Sequence, residues 1–347
     1  MNTRTLVDMQ SNTIDPVLGQ FLVAHSLIAA GEAAIWQPLS GGVSSDIWRV
    51  DIGSRSLCVK RALAQLKVAA DWKAPVSRNA YEWEWMRFAA HHCPDHVPVP
   101  LAHDEHAGLF AMSFLEADRH PVWKQQLLEG RVHPETAFAV GAVMGRLHSA
   151  SAGDPRIAAS FETVGNFYAL RLEPYLVATA GRHPELAPIL LELVATTAGT
   201  QHALVHGDLS PKNILVGPQG PVLLDAECAW YGDPAFDIAF CLNHLLLKRL
   251  VRPDAHLPLA ISFRELARGY LDQVDWEPVD KLEARAAKLL PALMLARVDG
   301  KSPVEYITEE RQRAFVRKTA RALLLRPVTE LERVLEAWDD GSPLLAA

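Results

Sequence analysis

One short stretch of the sequence concentrates the residues that could do chemistry. The segment VHGDLSPKNILV, residues 205–216, places Asp208 after an apolar run and Asn213 five positions later. Asp225 follows nine residues after this segment, at the end of PVLLD. Phosphoryl transfer needs such a set, because one carboxylate orients an attacking hydroxyl and accepts its proton, while a carboxylate and an amide hold Mg²⁺. The sequence therefore predicts Asp208 as the base, and Asn213 and Asp225 as metal ligands.

A second segment, far upstream, supports this interpretation. LSGGVSSDIWRV puts Gly41, Gly42 and Ser44 between two strand patterns, where backbone N–H groups can approach phosphate oxygens closely. Each segment alone is weak, since most HGD triplets are turns and GG hairpins are common. The glycine turn lacks the full G-x-G-x-x-G pattern and the GK[ST] ending of a P-loop, so a dinucleotide fold and a P-loop NTPase both fit poorly.

Lys60 is the third candidate, a cation inside the apolar strand pattern SLCVKRA. Burying such a charge is costly unless it has an anionic partner, which ATP phosphates or a glutamate can provide. Glu82 and Glu84 lie in one predicted helix and, being two residues apart, point to different faces. We favour Glu82 as the partner. The alternative is that Lys60 lies near a strand end with its ammonium in water.

The elements that must position these residues fall into two parts. Up to Leu115 the patterns predict strands and helices at 15–31, AIWQPLS, DIWRVDI, SLCVKRA, 77–92 and GLFAMSFLE, with the Pro-broken segment CPDHVPVPLA before the last strand. Afterwards helical patterns dominate, at 135–151, 184–199, 262–274, 278–297 and 307–325. Strand signals return only at ILV and PVLLD. We therefore predict a small N-terminal lobe, residues 1–115, and a larger helical lobe, residues 116–347, with the boundary near 116–120.

Composition limits the function. The 347 residues allow about two domains, or one domain built in two lobes, and 49% hydrophobic residues are enough for a sizeable core. A net charge of −7 does not indicate the basic surface that binding of DNA or RNA requires, so no nucleic-acid partner is expected. The first residues lack the apolar core of a secretory signal, and no apolar stretch approaches a membrane span, which predicts a cytoplasmic protein without a membrane partner. The cysteines form no CxxC pair and indicate buried thiols.

The order of the motifs resembles the aminoglycoside phosphotransferase-like family of small-molecule kinases, relatives of the protein kinases. The motifs that carry the resemblance are LSGG…SSDIWRV, CVK, YEWEW, LFAMSFLE, MGRLHS, HGDLSPKNIL, LLDAE and YGDPAFDIA. The resemblance implies an α+β, bilobal protein-kinase-like fold. Its small N-terminal lobe would be an antiparallel sheet plus a helix, and its C-terminal lobe would be larger and mainly helical.

The resemblance also implies a set of roles around ATP and Mg²⁺ in the cleft between the lobes. Backbone of the linker from Met112 to Leu115, including Ser113, would hold the adenine. Lys60 would contact the phosphates, Asp208 would act as base, and Asn213 with Asp225 would bind Mg²⁺. The acceptor would be a hydroxyl of a small molecule.

Two departures from the protein kinases disfavour a protein substrate. Asp225, Ala226 and Glu227 stand where protein kinases carry DFG, and Ser210 replaces the lysine that follows their catalytic aspartate. Both changes are usual among the small-molecule kinases of the family.

Three further residues near the loop are expected to be structural rather than catalytic. Asp233 and Asp237, in GDPAFDIAF, resemble the aspartates that cap a helix and brace the catalytic loop. His206 would hold the loop by hydrogen bonds.

The sequence leaves the acceptor open among sugar-like compounds, amino alcohols and aminoglycosides. DAECAWYGDPAFDI is similar to the DPEFAFYG…FDI stretch of methylthioribose kinases, which favours a sugar-like acceptor, but those kinases replace the loop asparagine that this chain keeps as Asn213. Arg297 and Glu227 are candidate acceptor residues. An aminoglycoside would need carboxylates around it, and the acidic candidates are scattered: Glu227, Glu309, Glu310, Asp339 and Asp340. One wall of the site is predicted from the aromatic residues Phe161, Phe167, Tyr168 and Tyr175.

Two hypotheses follow. The first is an ATP- and Mg²⁺-dependent kinase that acts on a small molecule as a monomer or homodimer. The second is a catalytically silent kinase-like protein that binds nucleotide or serves as a scaffold. The second would be expected to have lost the lysine, the base or a metal ligand, and this chain has all of them.

Overall fold

The computed structural model describes residues 15–39, 45–63 and 77–341. Its helices are α1 (Pro16–Ala24), α2 (Arg78–His92), α3 (Trp123–Leu128), α4 (Pro134–Ser151), α5 (Pro155–Ser160), α6 (Val164–Phe167), α7 (Ala178–Arg182), α8 (Ala187–Gly199), α9 (Ala235–Val251), α10 (His256–Leu271), α11 (Val279–Asp299), α12 (Glu310–Leu325) and α13 (Leu331–Gly341). Its strands are β1 (Ile35–Pro38), β2 (Ser45–Ile52), β3 (Arg55–Ala62), β4 (Pro100–Asp104), β5 (Leu109–Ser113), β6 (Ala203–Val205), β7 (Ile214–Gly217), β8 (Gly220–Leu223) and β9 (Trp230–Gly232). A π-helix (Tyr168–Val177) joins α6 to α7, and short 3-10 helices lie at Pro94–His96, Pro211–Asn213 and Pro253–Ala255.

The N-terminal part is an antiparallel sheet with strand order β1-β2-β3-β5-β4. Successive side chains of a strand point to opposite faces of the sheet. On β3, Val59 therefore joins the apolar cluster that includes Leu18 and Phe21 of α1, and Lys60 faces the other way, toward Glu82 of α2. The alternation of side chains along β3 thus packs one face of the sheet against α1 and points Lys60 away from the other face.

The C-terminal part is built around α9, which is buried at every position from Ala235 to Leu250. Apart from a stripe that includes Asp237, His244 and Lys248, its sides are apolar, so it lacks the wide polar face typical of surface helices. The predicted series of helical patterns omits α9. Helices α10 and α11 pack against α9, while α4 packs against α10 and α12 packs against α11.

Two short ribbons frame the loop that carries Asp208. Strand β6 pairs with β9, and β7 pairs with β8, so the loop leaves one ribbon and enters the other. The predicted strands ILV and PVLLD are confirmed as β7 and β8. The statement that strand signals return only there is wrong, because β6 and β9 also form. Each has three residues and is specified by a partner about 25 positions away, too distant for a local pattern.

Two other predicted elements differ from the structure. The leading helix ends at Ala24 rather than near residue 31, and Ser26 beyond it adopts a left-handed backbone with φ 56°. The Pro-broken segment contains β4, which begins at Pro100. Proline is tolerated there because it is the first residue of an edge strand.

In the part of the chain that the structure covers, no helix combines the length and apolar character needed to cross a membrane. Cys58, Cys93, Cys228 and Cys241 are buried free thiols.

Candidate active site

Lys60 joins two carboxylates from distant parts of the chain. Its Nζ lies 2.7 Å from Oε1 of Glu82 and 2.5 Å from Oδ1 of Asp225, and its side chain is 3% exposed. Glu84 instead lies at the surface, where it pairs with Arg87. Of the two glutamates weighed for Lys60, the geometry selects Glu82.

The charges of this trio support one another. Burial alone would lower the pKa of Lys60, but the combined negative charge of Asp225, Glu82 and Glu227 outweighs burial and raises it. Burial would raise the pKa of Asp225, and Lys60 with Lys212 overcomes this and lowers it. Burial also raises the pKa of Glu82 to about 7 against the attraction of Lys60. Lys60 is therefore protonated and Asp225 ionised at neutral pH.

Asp208 is 2% exposed and is surrounded by donors. Its Oδ2 lies 2.9 Å from Nη2 of Arg171 and 3.0 Å from Nζ of Lys212, and it accepts a hydrogen bond of 2.8 Å from Nδ2 of Asn213. Burial would raise the pKa of this carboxyl, but Arg171 and Lys212 together lower it. Asp208 is thus an ionised, oriented carboxylate, which is the state that a base needs.

The backbone of the Asp208 loop is held by Asp237 and His206. Asp237 accepts from the N–H of His206 at 2.7 Å and of Gly207 at 2.9 Å. The His206 ring accepts from the Asp208 N–H at Nδ1 and donates to the Leu224 carbonyl from Nε2, so these partners define a neutral tautomer. Burial lowers the pKa of His206, consistent with that tautomer. Both residues therefore make structural contacts.

Gly207 has no substitute at its position. Its backbone is left-handed, with φ 77°, and a Cβ would lie 2.5 Å from the carbonyl oxygen of Cys228. Any side chain would push the Asp208 loop away from the turn that contains Cys228, so this glycine fixes the approach of the two segments.

Asp233 holds the start of α9. It accepts from the N–H of Ala235 at 3.0 Å and from the guanidinium of Arg285 at 3.1 Å. Since Asp237 lies one turn further along the same helix, the pair ties α9 to the loop, which matches the capping and bracing expected of these aspartates.

The residues proposed for the metal fit a magnesium ion by their chemistry. Asn213 commits Nδ2 to the carbonyl and carboxylate of Asp208, which leaves its amide oxygen as the atom suited to a hard cation. Asp225, with a left-handed backbone at φ 66°, adds a carboxylate. Among the described residues no group of three or more His, Cys, Asp or Glu could hold a metal by itself. Mg²⁺ suits such a sparse site, because it binds through one or two carboxylates together with substrate phosphates.

The remaining sequence candidates lie at the edges of this centre. Ser113 is tied to the neighbouring segment, since its N–H donates to Val99 and its hydroxyl accepts from Val99, each at 2.9 Å. Leu115 is partly exposed. Between the linker and Asp225 lies a small, mainly apolar cavity, lined by Glu82, Trp85, Met86, Pro98, Met112, Leu223, Leu224, Asp225 and Ala226. Gly41, Gly42 and Ser44 lie outside the described residues.

The two acceptor candidates differ in their surroundings. Glu227 is buried and its Oε2 lies 3.1 Å from Nε of Arg78, so its carboxylate already has a partner. Arg297 is half-buried, and its Nη1 donates to the Tyr175 hydroxyl at 3.0 Å. Of the two candidates, Arg297 therefore lies beside the π-helix. The carboxylate of Glu227 is already engaged by Arg78.

The predicted aromatic wall is wrong in part. Phe167 stacks on Trp230 with ring centroids 4.3 Å apart, and Phe161 is 4% exposed, so both belong to the core. Tyr168 is exposed. Tyr175 lies between the guanidinium groups of two arginines rather than in an aromatic surface. Helical spacing of aromatic residues indicates core packing at least as often as a binding wall.

Two residues at this centre were missed by sequence reasoning. Lys212 brings an ammonium to Asp208 although Ser210 replaces the lysine of the protein kinases, and its position four residues after Asp208 was a usable signal. Arg171 also donates from Nε to the Gly207 carbonyl at 2.6 Å. Arg171 lies in the π-helix, a geometry that is often found at functional sites. No local sequence pattern predicts its contact with Asp208.

A five-stranded sheet with a buried lysine–glutamate pair is set against a helical part that carries Asp208, Asn213 and Asp225, which is the arrangement expected of a kinase-like fold. The family model of the phosphotransferase enzyme family matches residues 35–257. The chain belongs to this family, and the resemblance drawn from the motifs is confirmed.

Several known proteins are similar to this chain. A methylthioribose kinase of Bacillus cereus (strain B4264) is 24% identical over 263 residues, which span 68% of this chain and 66% of that kinase. An ethanolamine kinase of Plasmodium vivax is 12% identical over 91% of this chain and 93% of its own, with a TM-score of 0.56. An amicoumacin kinase solved with AMP-PNP and Ca²⁺ is 16% identical over 86% and 91%, with a TM-score of 0.52. The two structures confirm the predicted kinase-like fold.

Proposed function

We propose that this protein transfers the γ-phosphoryl group of ATP to a hydroxyl of a small molecule. The observation that carries the proposal is the meeting of Lys60, Asp208, Asn213 and Asp225 around one centre, with Lys60 and Asp225 joined at 2.5 Å and Asn213 and Asp208 at 2.8 Å. Family membership and the kinase relatives support it.

The reaction on this proposal uses Asp208 as the base. The acceptor oxygen forms a bond to the γ-phosphorus, the bond from that phosphorus to the β,γ-bridging oxygen breaks, and the hydroxyl proton passes to Asp208. Arg171, Lys212 and Asn213 fix the carboxylate in its ionised form and orientation. Holding the attacking group in place supplies a large part of the rate enhancement.

On the other side of the centre, Lys60 would contact the phosphates, with Glu82 orienting its ammonium. Asp225 and Asn213 would hold Mg²⁺, which supplies charge neutralisation for the transferring phosphoryl group. The linker from Met112 to Leu115, with Ser113, would contact the adenine. These roles stay proposals.

The decisive test is Asp208→Asn, which preserves the shape of the side chain and removes its basicity. We expect turnover, measured as ADP release with Mg·ATP and an acceptor panel, to fall by about 100-fold to 10,000-fold. Calorimetry should show unchanged Mg·AMP-PNP affinity, because Asp208 would contact the acceptor rather than the nucleotide. The matched control is Asp280→Asn, whose carboxylate is 76% exposed at the start of α11.

Turnover of Asp208→Asn at the wild-type rate would refute Asp208 as the base. Binding of Mg·AMP-PNP without turnover of any compound, and without slow ATP hydrolysis, would favour the silent nucleotide-binding protein instead. Cytoplasmic location, the lobe boundary near residues 116–120, the monomeric or dimeric state and the lack of a nucleic-acid partner remain predictions from the sequence.

A further inference from the structure

A group of cations lies near Asp208 in addition to Lys60 and Arg171. We call it the basic cluster and define it as Lys124, Lys212, Lys248 and Arg297. Lys124 is on α3, Lys248 on α9 and Arg297 on α11, while Lys212 follows Asp208 in its own loop. Helix α3 packs against both the 3-10 helix that contains Lys212 and α9, so the four come from elements in contact with one another.

Lys248 is the most unusual member. It is fully buried, and its Nζ has no hydrogen-bond partner among the described residues. Its nearest aromatic neighbour is Tyr306, whose ring centroid lies 4.6 Å from Nζ. Burial is the main cause that lowers the pKa of Lys248 to about 7, and the charges of Lys124 and Arg297 add to it. A buried ammonium without an anionic partner is costly, and fully buried lysines are normally paired.

The face of α9 that carries Lys248 leads directly to the Asp208 loop. Asp237, Cys241, His244 and Lys248 are spaced by four, three and four residues, so they share one side of the helix. The first of them holds the backbone of the loop. Burial is the main cause that lowers the pKa of His244. The positive charges of Lys248, Arg297, Lys212 and Lys124 lower it further. Lys248 thus lies on the same side of α9 as Asp237, about three turns further along the helix.

A second path runs from Asp208 to Arg297. The Arg171 guanidinium lies 2.9 Å from Asp208 and 5.9 Å from the Tyr175 ring centroid. The Arg297 guanidinium lies 5.4 Å from the same ring, and its Nε is buried without a partner among the described residues. Arg297 is therefore separated from the proposed base by Tyr175 and Arg171. Its Nη1 donates to the Tyr175 hydroxyl and to Ser302, but its Nε keeps a donor that nothing in the described part of the chain satisfies.

The carboxylates near the basic cluster do not balance it. Glu305 pairs with Lys124, and Asp208 pairs with Lys212, so Lys248 and Arg297 are left without a carboxylate among the described residues. The acidic residues considered for a polycationic acceptor are engaged elsewhere: Glu227 with Arg78, Glu309 with Arg311, Glu310 with Arg317 and Asp339 with Arg249. A positively charged acceptor would meet repulsion at this place.

We infer that the acceptor is a hydroxyl compound that carries an anionic group, a carboxylate or a phosphate, and that Lys248 and Arg297 bind this group. This inference rests on the proposed function and names the substrate class of the same site. The anion would pair with the two unsatisfied cations while the hydroxyl lies at Asp208. Electrostatic complementarity of this kind gives specificity, because it rejects neutral and cationic analogues of the same shape.

The test is a set of acceptors that share one carbon skeleton: glucose, gluconate, glucose 6-phosphate and glucosamine. ADP release is measured for each with the full chain and Mg·ATP. We expect kcat/KM for an anionic member to exceed that for glucose and glucosamine by about tenfold or more. The separate responses to gluconate and glucose 6-phosphate distinguish a carboxylate from a phosphate. A preference for glucose or glucosamine would overturn the inference.

Variants connect the preference to the two cations. Lys248→Met nearly keeps the length and removes the charge. Arg297→Gln, which is shorter, removes the charge of the second cation if the first variant fails to fold. Each should lower kcat/KM for the anionic acceptor by about 100-fold, mainly through KM, and so lower the ratio of this value to kcat/KM for glucose. The control is Lys281→Met, whose side chain is 71% exposed. An unchanged ratio between anionic and neutral acceptors would refute the inference.

A binding measurement separates this inference from the proposed function. With Mg·ADP saturating, sulfate is compared with chloride at equal ionic strength. Because sulfate stabilises folded proteins in general, the difference between variants is what counts: sulfate should raise the unfolding temperature of the wild type and of Lys281→Met more than that of Lys248→Met or Arg297→Gln. Equal responses of all four proteins would overturn anion binding whether or not any acceptor turns over, whereas failure of Mg·AMP-PNP to bind would count against the kinase proposal alone.

Discussion

Two buried lysines, Lys60 and Lys248, have opposite electrostatic environments. On the proposed nucleotide side, Lys60 has two carboxylates at 2.5 and 2.7 Å. On the proposed acceptor side, Lys248 is at least as deeply buried and lacks a hydrogen-bond partner among the described residues. A paired charge holds its neighbours in place, whereas an unpaired buried charge costs free energy until a ligand arrives. The comparison separates residues that keep the geometry from residues that await a substrate.

Removing the paired lysine should have the largest effect. Lys60→Met would leave Glu82 and Asp225 without their common cation and would remove a positive charge from the phosphates. We expect kcat/KM for ATP to fall by about 1,000-fold or more. ADP release measures the loss, with Lys281→Met as the surface control. A loss of less than about tenfold would mean that the trio around Lys60 does not serve the reaction.

Removing the unpaired lysine should stabilise the protein instead. The pKa of Lys248 in the folded chain, about 7, lies below its ordinary value of 10.5, so between these values the unfolded chain binds more protons and stability rises with pH. Lys248→Met removes that cost. We expect the free energy of unfolding to increase by at most about 4 kcal/mol near pH 7, and by about 2 kcal/mol near pH 9.

Urea denaturation at the two pH values, without ligand, measures this gain. The groups that face Lys248 are Lys124, Arg297, Cys241, Glu305 and Tyr306, and none of them is altered by the substitution. A destabilised Lys248→Met near pH 7, or a gain that grows with pH, would show that the ammonium is already satisfied.

Substitution of Arg171 tests whether this residue positions the carboxylate of Asp208. Arg171→Met would release the Gly207 carbonyl and one oxygen of Asp208 from the guanidinium. Because the base would be misplaced rather than lost, we expect kcat to fall by about 100-fold while the affinity for Mg·AMP-PNP stays the same. Arg171→Lys should recover part of the rate. An equal loss with lysine and methionine, or a parallel loss of nucleotide affinity, would contradict a positioning role.

An exposed ion pair should have the smallest effect on the free energy of unfolding. Arg264 and Glu332 lie 2.6 Å apart, but their side chains are 47% and 43% exposed. Glu332→Gln should change the free energy of unfolding by less than about 1 kcal/mol, and the change should shrink in about 1 M salt. Denaturation with and without added salt checks this. A change as large as that of Lys248→Met would mean that burial is not what distinguishes the two sides.

Much of the candidate active site was predictable because its residues follow local rules. Asp208, Asn213 and Asp225 lie within 18 positions of one another, and Asn213 and Asp225 adjoin β7 and β8, whose patterns are clear. Helix α2 and strand β3 were also recognisable, which placed Lys60 and Glu82 on elements of the expected type. Helix α9 was not predicted, because most of its sides are apolar and it lacks the wide polar face of a surface helix.

The sequence by itself determined the family, the kinase-like fold and the types of residue at the proposed phosphoryl-transfer centre. Local spacing carries that information, since hydrophobic periods and turn residues act over a few positions. Only the tertiary structure decided which glutamate meets Lys60, that Arg171 and Lys212 reach Asp208, and that the buried Nζ of Lys248 has no hydrogen-bond partner in the part of the chain that the structure describes. These facts depend on contacts between residues far apart in the chain, and burial and electrostatic pairing act through space, so no local pattern records them.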